Sequence, residues 1–294
     1  MASQKLKDDF KISSLAGISG MVAATLTHPI DTVKIQMQVQ KVGADGSKPY
    51  KTFLHALYKI ASEEGIKKGV GKGYFGSLIR ELPYSTFRLG LYRPIKELLG
   101  EVDPTKTPMW KRFLSGAMAG GIASVISNPG DLLKTKAQSM RAGEWQPLRW
   151  HVSEIYNKNG VPGFYRGVLP SVTRATFLGS AYLGTYDSAK HFLKGNGYME
   201  EGIKLQFMAS VMAGFNVTVI TSPFDNIKTR IMSQPAGTKQ YSGMIDCAKK
   251  MYKNDGARSF TRGFMAAWAR FAPYTSSQLL IWEFLRRQAG YDGF

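Results

Sequence analysis

The chain has few of the residues that covalent chemistry or disulfide bonding requires. Its 294 residues include one cysteine, Cys247, which excludes an internal disulfide and any metal site built from several cysteines. The four histidines show no ligand spacing, and the sequence has no glycine-rich phosphate loop and no nucleophile placed beside a base. These absences argue against an enzyme, a disulfide-rich secreted protein and a resident metal or other cofactor.

Long apolar runs and acidic residues are also scarce. The mean hydropathy is -0.19, and no uninterrupted apolar segment reaches the length of a simple membrane helix. Helices with one face toward lipid and one toward a water-filled cavity have such a low mean hydropathy, because polar side chains are tolerated where they face the cavity. The 39 basic and 21 acidic residues give a net charge of +18. The bases are spread over the whole chain without a nucleic-acid motif, which favours attraction to anionic lipid and anionic solutes.

Proline, aspartate and lysine recur three times at one spacing. The copies are Pro29-Ile-Asp31-Thr-Val-Lys34, Pro129-Gly-Asp131-Leu-Leu-Lys134 and Pro223-Phe-Asp225-Asn-Ile-Lys228. They are 100 and 94 residues apart and so define an internal repeat. Each copy lies in an apolar, glycine-rich segment that predicts a helix, and the proline predicts a bend in it. The aspartate and lysine share one helical face. We therefore expect a ring of ion pairs from the lysine of one repeat to the aspartate of the next, such as Lys34 with Asp131 and Lys134 with Asp225.

The surroundings of this motif repeat as well. A small residue precedes each proline by thirteen positions and a glycine by nine: Ala16 and Gly20, Gly116 and Gly120, Ser210 and Gly214. Small residues four apart predict close approach to a neighbouring helix. Four residues after each lysine stand Gln38, Gln138 and Met232. We expect each glutamine to bond across an adjacent lysine–aspartate pair, so that the third pair lacks this brace.

The second half of each repeat has its own pattern. A short amphipathic segment ends in a turn at Glu64-Gly65, Asn159-Gly160 or Asp255-Gly256, and a basic residue followed by Gly73, Gly167 or Gly263 opens a second apolar helix. Backbone amides at such helix starts suit an anion such as a lipid phosphate, and helix punctuation alone is the alternative. The second helices end in Tyr92-Arg93-Pro-Ile-Lys96, Tyr186-Asp187-Ser-Ala-Lys190 and Trp282-Glu283-Phe-Leu-Arg286. Two of these ends carry an acid three residues before a base, which predicts a second ring of ion pairs.

Together these motifs resemble the mitochondrial carrier family, from about Phe10 to about Arg287. The resemblance implies an all-α membrane protein with six transmembrane helices in three pseudo-symmetric repeats and three short matrix helices. It implies one domain over residues 1–294, with repeats at about 10–100, 108–195 and 203–290. It also implies a multi-pass, monomeric protein of the mitochondrial inner membrane with cardiolipin as bound lipid. The N-terminus, with Asp8 and Asp9, lacks the composition of a transit peptide, so no cleavable presequence is expected.

Two gates follow from the same resemblance. The matrix gate would consist of Asp31, Lys34, Asp131, Lys134, Asp225 and Lys228, with Gln38 and Gln138 as its braces. The cytoplasmic gate would consist of Lys96, Asp187, Lys190, Glu283 and Arg286. Arg93 stands where an acid belongs. We expect Arg93 to face a base of a neighbouring repeat, which would leave this gate with at most two pairs.

Three arginines occupy one depth in the second helices. Thirteen residues before positions 93, 187 and 283 stand Arg80, Arg174 and Arg270, about 20 Å from the helix ends at 1.5 Å per residue. An arginine at mid-membrane is costly and usually functional, and a buried ion pair is the alternative. Convergent guanidinium groups, with Arg88 nearby, suit a substrate with two carboxylates. We expect the three arginines to face a hydrated cavity without an obligatory buried partner.

The residues around these arginines narrow the resemblance. The pattern Arg80-Glu81, Arg88, Arg174-Ala175, Arg270-Phe271 is similar to that of oxoglutarate and dicarboxylate carriers and their uncoupling-protein relatives, which implies substrate binding at these positions and exchange of small carboxylates by alternating access. Glu81 departs from the pattern and would favour a substrate with fewer negative charges, an amino acid or proton co-transport.

Two other functions remain open. One is a proton or anion leak like that of uncoupling proteins. The other is a carrier fold that serves as a non-transporting subunit of a larger respiratory complex. Arg93, Met232, Gly71, Thr261 and one extra residue between Gly65 and Lys72 depart from the family signature, as expected of such a subunit.

Overall fold

The computed structural model describes residues 2–40, 49–100, 108–141, 143–199 and 202–290, which form ten α-helices and no β-strand. In chain order the helices are α1 (Ala2–Val39), α2 (Phe53–Gly65), α3 (Tyr74–Gly90), α4 (Tyr92–Leu98), α5 (Met109–Ser139), α6 (Leu148–Asn159), α7 (Val168–Gly195), α8 (Ile203–Met232), α9 (Met244–Asp255) and α10 (Phe264–Gln288).

The helices repeat one unit three times. Each unit begins with a long helix (α1, α5 or α8), continues with a short one (α2, α6 or α9) and returns through a second long helix (α3 with α4, α7 or α10). The long helices pack in the cyclic order α1, α3, α5, α7, α8, α10 and back to α1, so they close into a ring. The predicted all-α fold of three repeats is confirmed. Each short helix packs on the first helix of its own repeat, at the end of the bundle that carries the lysine–aspartate motifs.

Hydropathy alone does not reveal this bundle. Within the part of the chain that the structure describes, one helical segment, Phe207–Met232, is long and apolar enough to cross a membrane by length and composition. The other long helices carry charged residues that pair with one another inside the bundle, such as Lys34 of α1, Asp131 of α5 and Arg270 of α10. This distribution agrees with the expectation of helices that have one face toward a polar interior.

The repeated glycines set the distance between the two long helices of each repeat. A Cβ on Gly20 would lie 3.3 Å from Cγ of Glu81, and one on Gly214 would lie 2.6 Å from the ring of Phe271. In the second repeat, Gly120 faces Ala175 in the same way. The predicted close approach is therefore present in all three repeats, and its partner is the residue that follows the central arginine.

The turn before the second long helix differs in the first repeat. It is a π-helical turn at Ile66–Val70, whereas the other repeats have 3₁₀ turns at Val161–Tyr165 and Ala257–Thr261. The wider π turn accommodates the extra residue between Gly65 and Lys72. This departure from the family signature therefore leaves the start of α3 in the same position as the starts of α7 and α10.

The second long helix of the first repeat is interrupted. It breaks at Leu91 into α3 and α4, whereas α7 and α10 run on without a break. Pro94 explains the break, because it has no N–H to donate to the carbonyl of Gly90 and its ring clashes with that turn. The break lies one residue from Tyr92 and two from Arg93.

Candidate functional site

Three lysine–aspartate pairs close one end of the bundle. Nζ of Lys34 lies 2.6 Å from Oδ2 of Asp225, Nζ of Lys134 lies 2.6 Å from Oδ2 of Asp31, and Lys228 donates to Asp131. The members of this lysine–aspartate ring lie on α1, α5 and α8, and their side chains are almost fully buried.

The predicted ring is thus present, but the predicted direction of pairing is wrong. Each lysine binds the aspartate of the preceding repeat, so Lys34 does not pair with Asp131, nor Lys134 with Asp225. The sequence places aspartate and lysine on one face of each helix without fixing the neighbour toward which each turns. The order and tilt of the packed helices decide that choice.

The three central arginines bind the same aspartates. Nε of Arg270 lies 2.9 Å from Oδ1 of Asp31, and Nε of Arg174 donates to Oδ1 of Asp225. Nε of Arg80 lies 3.7 Å from Oδ1 of Asp131. Each ring aspartate therefore meets a lysine at Oδ2 and an arginine at Oδ1.

The expectation that the arginines lack a buried partner is wrong. A carboxylate has two oxygens and a ring lysine uses one of them, so the second oxygen accepts the guanidinium that lies one layer further into the bundle. The ion-pair alternative is correct for the state that the structure shows.

Glu81 adds a fourth buried carboxylate beside the ring. Its side chain is 2 % exposed and accepts hydrogen bonds from Nη1 of Arg80, from the hydroxyl of Tyr274 and from Oγ of Ser85 at 3.2 Å. Tyr274 lies on α10, so Glu81 joins the first repeat to the third. The ring, the three arginines and Glu81, together called the central cluster, contain six cations and four anions. The central cluster thus carries an excess of two positive charges.

A cavity of about 250 Å³ lies against this cluster. Its walls include Arg80, Arg88, Arg174 and Arg270, and it extends from the lysine–aspartate ring to Trp282 near the other end of α10. The predicted substrate positions Arg80, Arg88, Arg174, Arg270 and Phe271 all line it. Glu81 and Ala175 do not: Glu81 is buried against Gly20 between α1 and α3, and Ala175 is buried against Gly120 between α5 and α7.

Sequence reasoning missed the aromatic rings that support two of the arginines. The guanidinium of Arg80 lies 4.4 Å from the ring centre of Tyr84, and that of Arg270 lies 5.0 Å from that of Tyr274. Both tyrosines follow their arginine by four residues, on the same helical face. Cation–π contact holds each guanidinium toward the cavity. The corresponding residue of the second repeat is Leu178, so the wall there is apolar.

The two glutamines brace the bundle differently from the prediction. Gln138 donates to the hydroxyl of Thr32 at 3.0 Å, and Gln38 accepts from that of Thr229 at 2.7 Å. These bonds join the first long helices of different repeats, α5 to α1 and α8 to α1, without crossing a lysine–aspartate pair. Met232, at the third position, is fully buried and packs against Leu132 in an apolar cluster. The third helix contact therefore replaces a polar brace with apolar packing.

The basic residues before the second long helices reach the next repeat. Lys72 donates to the carbonyl of Met140 at 3.1 Å, Arg166 to that of Thr238 at 3.0 Å, and Arg262 to that of Gln40 at 3.0 Å. The carbonyls of Met140 and Gln40 stand one residue beyond the end of a first long helix, where carbonyls lack helical partners, and that of Thr238 lies six residues beyond the end of α8.

The glycines that follow these basic residues have a structural role. Gly73, Gly167 and Gly263 all have φ between 71° and 80° and start α3, α7 and α10. A Cβ on Gly263 would lie 3.1 Å from the carbonyl oxygen of Lys34. The backbone conformation and this contact both require glycine. Lipid binding at these helix starts stays a prediction.

The opposite end of the bundle carries the residues of the second predicted ring. The structure describes Lys96, Lys190, Glu283 and Arg286 there, whereas the side chain of Asp187 lies outside the described residues. Glu283 accepts from Arg287 at 2.5 Å, one turn along α10. The role of these residues as a gate stays a prediction.

Arg93 does not stand unpaired against a base. Its Nε lies 3.3 Å from Oε1 of Glu97, one turn along α4. The sequence offered this partner four residues downstream, the usual spacing of a helical ion pair. Whether Arg93 also faces a base of a neighbouring repeat, and how many pairs this gate holds, stay predictions.

A second cavity, of about 650 Å³, opens at the ring end between the short helices. His151 of α6 lines it and is 2 % exposed, and among the described residues neither ring nitrogen has a hydrogen-bond partner. Burial, with a smaller contribution from Lys136, lowers the pKa of His151 to about 4. The histidine is thus neutral at physiological pH.

Comparison with known proteins agrees with this geometry. A family model described as "Mitochondrial carrier protein" matches residues 10–103, 105–197 and 200–292. The chain is 31% identical to the "Mitochondrial 2-oxoglutarate/malate carrier protein" of Mus musculus, over 91% of this chain and 87% of the relative. It is 33% identical to the "Mitochondrial oxaloacetate transport protein" of Saccharomyces cerevisiae, over 96% and 90%. It is also 33% identical to "Mitochondrial uncoupling protein 3" of Arabidopsis thaliana, over 95% and 94%.

Proposed function

Because the chain belongs to the mitochondrial carrier family, we propose that it exchanges small dicarboxylates or oxoacids across the mitochondrial inner membrane by alternating access. Members of the family are transporters, and family membership implies the inner membrane as the location. Relatives whose names include 2-oxoglutarate, malate and oxaloacetate support the substrate class.

One observation carries the proposal: three arginines from three repeats converge on one cavity beside a cluster with surplus positive charge. Arg80, Arg174 and Arg270 line the same cavity. A guanidinium binds a carboxylate through two parallel hydrogen bonds, so more than one arginine in one cavity favours an anion with more than one carboxylate. The surplus charge supports an anionic solute over a cation or a neutral sugar.

The arrangement also couples substrate binding to the ring. In the closed state Asp225 and Asp31 are each shared between a lysine and an arginine. A substrate carboxylate competes with Oδ1 of the aspartate for the guanidinium. When the arginine turns to the substrate, the aspartate keeps one cation instead of two, and the ring becomes easier to open. Only an anion that binds the arginines destabilises the closed ring relative to the open ring in this way.

Exchange in liposomes tests the proposal. We expect the purified protein to take up labelled malate when the liposomes are preloaded with a dicarboxylate, and Arg174→Ala or Arg270→Ala to lose this uptake. Arg80→Ala should lose it too, because the buried Glu81 would then lose its guanidinium partner and leave an uncompensated negative charge beside the site. Arg149→Ala, at an exposed arginine of α6, is the matched control and should retain uptake. Unchanged uptake in a central variant would contradict a shared site.

A leak like that of uncoupling proteins is the second candidate. It is favoured by the similarity to a relative of that name over nearly the whole chain. The same liposomes separate the two functions, because exchange requires a counter-substrate inside, whereas a leak collapses an imposed pH gradient without one. A non-transporting role predicts neither signal, together with co-purification in a respiratory complex.

A further inference from the structure

The asymmetry of the central cluster points to Glu81 as a specificity-determining residue. We infer that Glu81 neutralises Arg80 at the cavity wall and so limits the site to anions with two carboxylates. The inference rests on the proposed function and names a narrower substrate class for the same site.

The geometry of the three arginines shows what Glu81 does. Arg174 and Arg270 each bind a ring aspartate through Nε. Nε of Arg80 is 3.7 Å from Asp131, and among the described residues this atom has no hydrogen-bond partner although it is buried. The guanidinium of Arg80 donates through Nη1 to Glu81 instead. Glu81 has thus drawn Arg80 out of the threefold pattern.

The surroundings of Glu81 stabilise a negative charge. The carboxylate is buried and accepts from a guanidinium and from the hydroxyls of Ser85 and Tyr274. Hydrogen bonds donated to the charged form of a carboxylate favour that form. Arg80 is therefore neutralised by a partner on its own helix that is fixed in place by α10.

Helix packing does not require a carboxylate at this position. The corresponding residues of the other repeats are Ala175 and Phe271, and each packs against the glycine of its own repeat as Glu81 does against Gly20. An alanine and a phenylalanine fill the same interface, so the charge of Glu81 is not needed for contact between the helices. The charge of Glu81 therefore acts on Arg80.

The consequence is a site with two exchangeable arginines. Arg174 and Arg270 are bound to ring aspartates that also have a lysine, so each can turn to a substrate carboxylate without leaving an aspartate without a cation. Arg80 has a dedicated partner. Two carboxylates at the depth of the ring match the two available arginines, whereas a third at this depth would need the guanidinium that Glu81 occupies. Arg88 also lines the cavity, but it lies eight residues along α3 from Arg80, about 12 Å at 1.5 Å per residue.

The test compares two competitors that differ by one carboxylate. Glutarate and tricarballylate share a five-carbon chain, and tricarballylate carries a third carboxylate on its middle carbon. Each is added outside malate-loaded liposomes that contain the full-length protein, and the concentration that halves labelled malate uptake is measured. We expect the wild type to prefer glutarate, and Glu81→Gln to reduce this preference at least tenfold, because Arg80 becomes available.

Two further variants keep the test decisive. Glu81→Ala copies the residue of the second repeat and should shift the preference in the same direction as Glu81→Gln. If one of these two neutral variants fails to fold, the other still tests the inference. Glu81→Asp keeps the charge and should keep the wild-type preference. Thermal melting of each variant in detergent verifies folding.

The outcomes separate the two claims. Wild-type liposomes that take up no malate would overturn the proposed function and this inference with it. Malate uptake with the same competitor preference in the wild type and in both neutral variants would overturn the role of Glu81 and leave the proposed function intact. An equal shift in Glu81→Asp would also count against the inference, since shape rather than charge would then be responsible.

Discussion

The Lys134–Asp31 pair offers the sharpest test of the ring. At an effective dielectric constant of about 20, two unit charges 2.6 Å apart attract by about 6 kcal/mol, and the cost of taking them out of water offsets much of this. We expect a coupling free energy of about 1–3 kcal/mol in a double-mutant cycle of Asp31→Asn and Lys134→Met. The two single variants should differ. Asp31→Asn leaves both Lys134 and Arg270 without their carboxylate, whereas Lys134→Met leaves Asp31 with Arg270 at 2.9 Å.

The assay is thermal unfolding of the wild type, both single variants and the double variant in one detergent. One kcal/mol shifts the melting temperature of a protein somewhat smaller than this one by about 2–4 °C, so the expected coupling is measurable. The control cycle combines Lys134→Met with Asp225→Asn, because Asp225 is the partner that the sequence predicted for Lys134. Its coupling should be less than half as large. A larger coupling for Lys134 with Asp225 would refute the direction of pairing, and purely additive effects in both cycles would refute the ring.

Two further predictions concern the ring end of the bundle. His151 has a pKa of about 4 in the folded protein and about 6.5 when unfolded, so the unfolded chain binds the proton first. The contribution of neutral His151 to the free energy of unfolding should therefore be fully present above about pH 6.5. It should fall by up to about 1.4 kcal/mol per pH unit toward pH 4. His151→Leu should remove this part of the pH dependence of melting, and an unchanged slope would exclude His151 as its source. Gly263→Ala should lower the free energy of unfolding by about 1–3 kcal/mol, because alanine is strained at φ +73° and its Cβ would meet the carbonyl of Lys34. Gly195→Ala, where a Cβ meets nothing within 4 Å, is the control and should melt near the wild type.

The sequence was sufficient for those features that depend on position along a helix. The tripled Pro-x-Asp-x-x-Lys motif predicts three long helices with charges on one face, and the glycine nine residues before each proline predicts their close packing; both predictions agree with the structure. The common depth of Arg80, Arg174 and Arg270 likewise predicted that they converge on one cavity. These features follow from the helical rise and from side-chain size, which are local properties.

Features that depend on the arrangement between helices could not be predicted in this way. The direction of the lysine–aspartate pairs depends on the relative order and tilt of neighbouring helices, and the spacing of residues along one helix gives no measure of that tilt. Ala175 shows the same limit: it follows a cavity arginine directly, yet a rotation of 100° per residue places it against Gly120.

Two ring aspartates each bind both a lysine and an arginine, and this arrangement connects the substrate class to the opening of the ring. If the arginines were free in the closed state, substrate binding would add contacts at the centre and leave the ring unchanged. Because Arg174 and Arg270 hold Oδ1 of Asp225 and Asp31, a bound carboxylate removes one of two cations from each aspartate. A dicarboxylate can do this at two positions of the ring at once, and a monocarboxylate at one. Exchange should therefore be faster for malate than for lactate at saturating concentrations, since the second carboxylate acts on the closed state itself and not only on affinity. Equal maximal rates for both solutes would mean that the arginines bind substrate without weakening the ring.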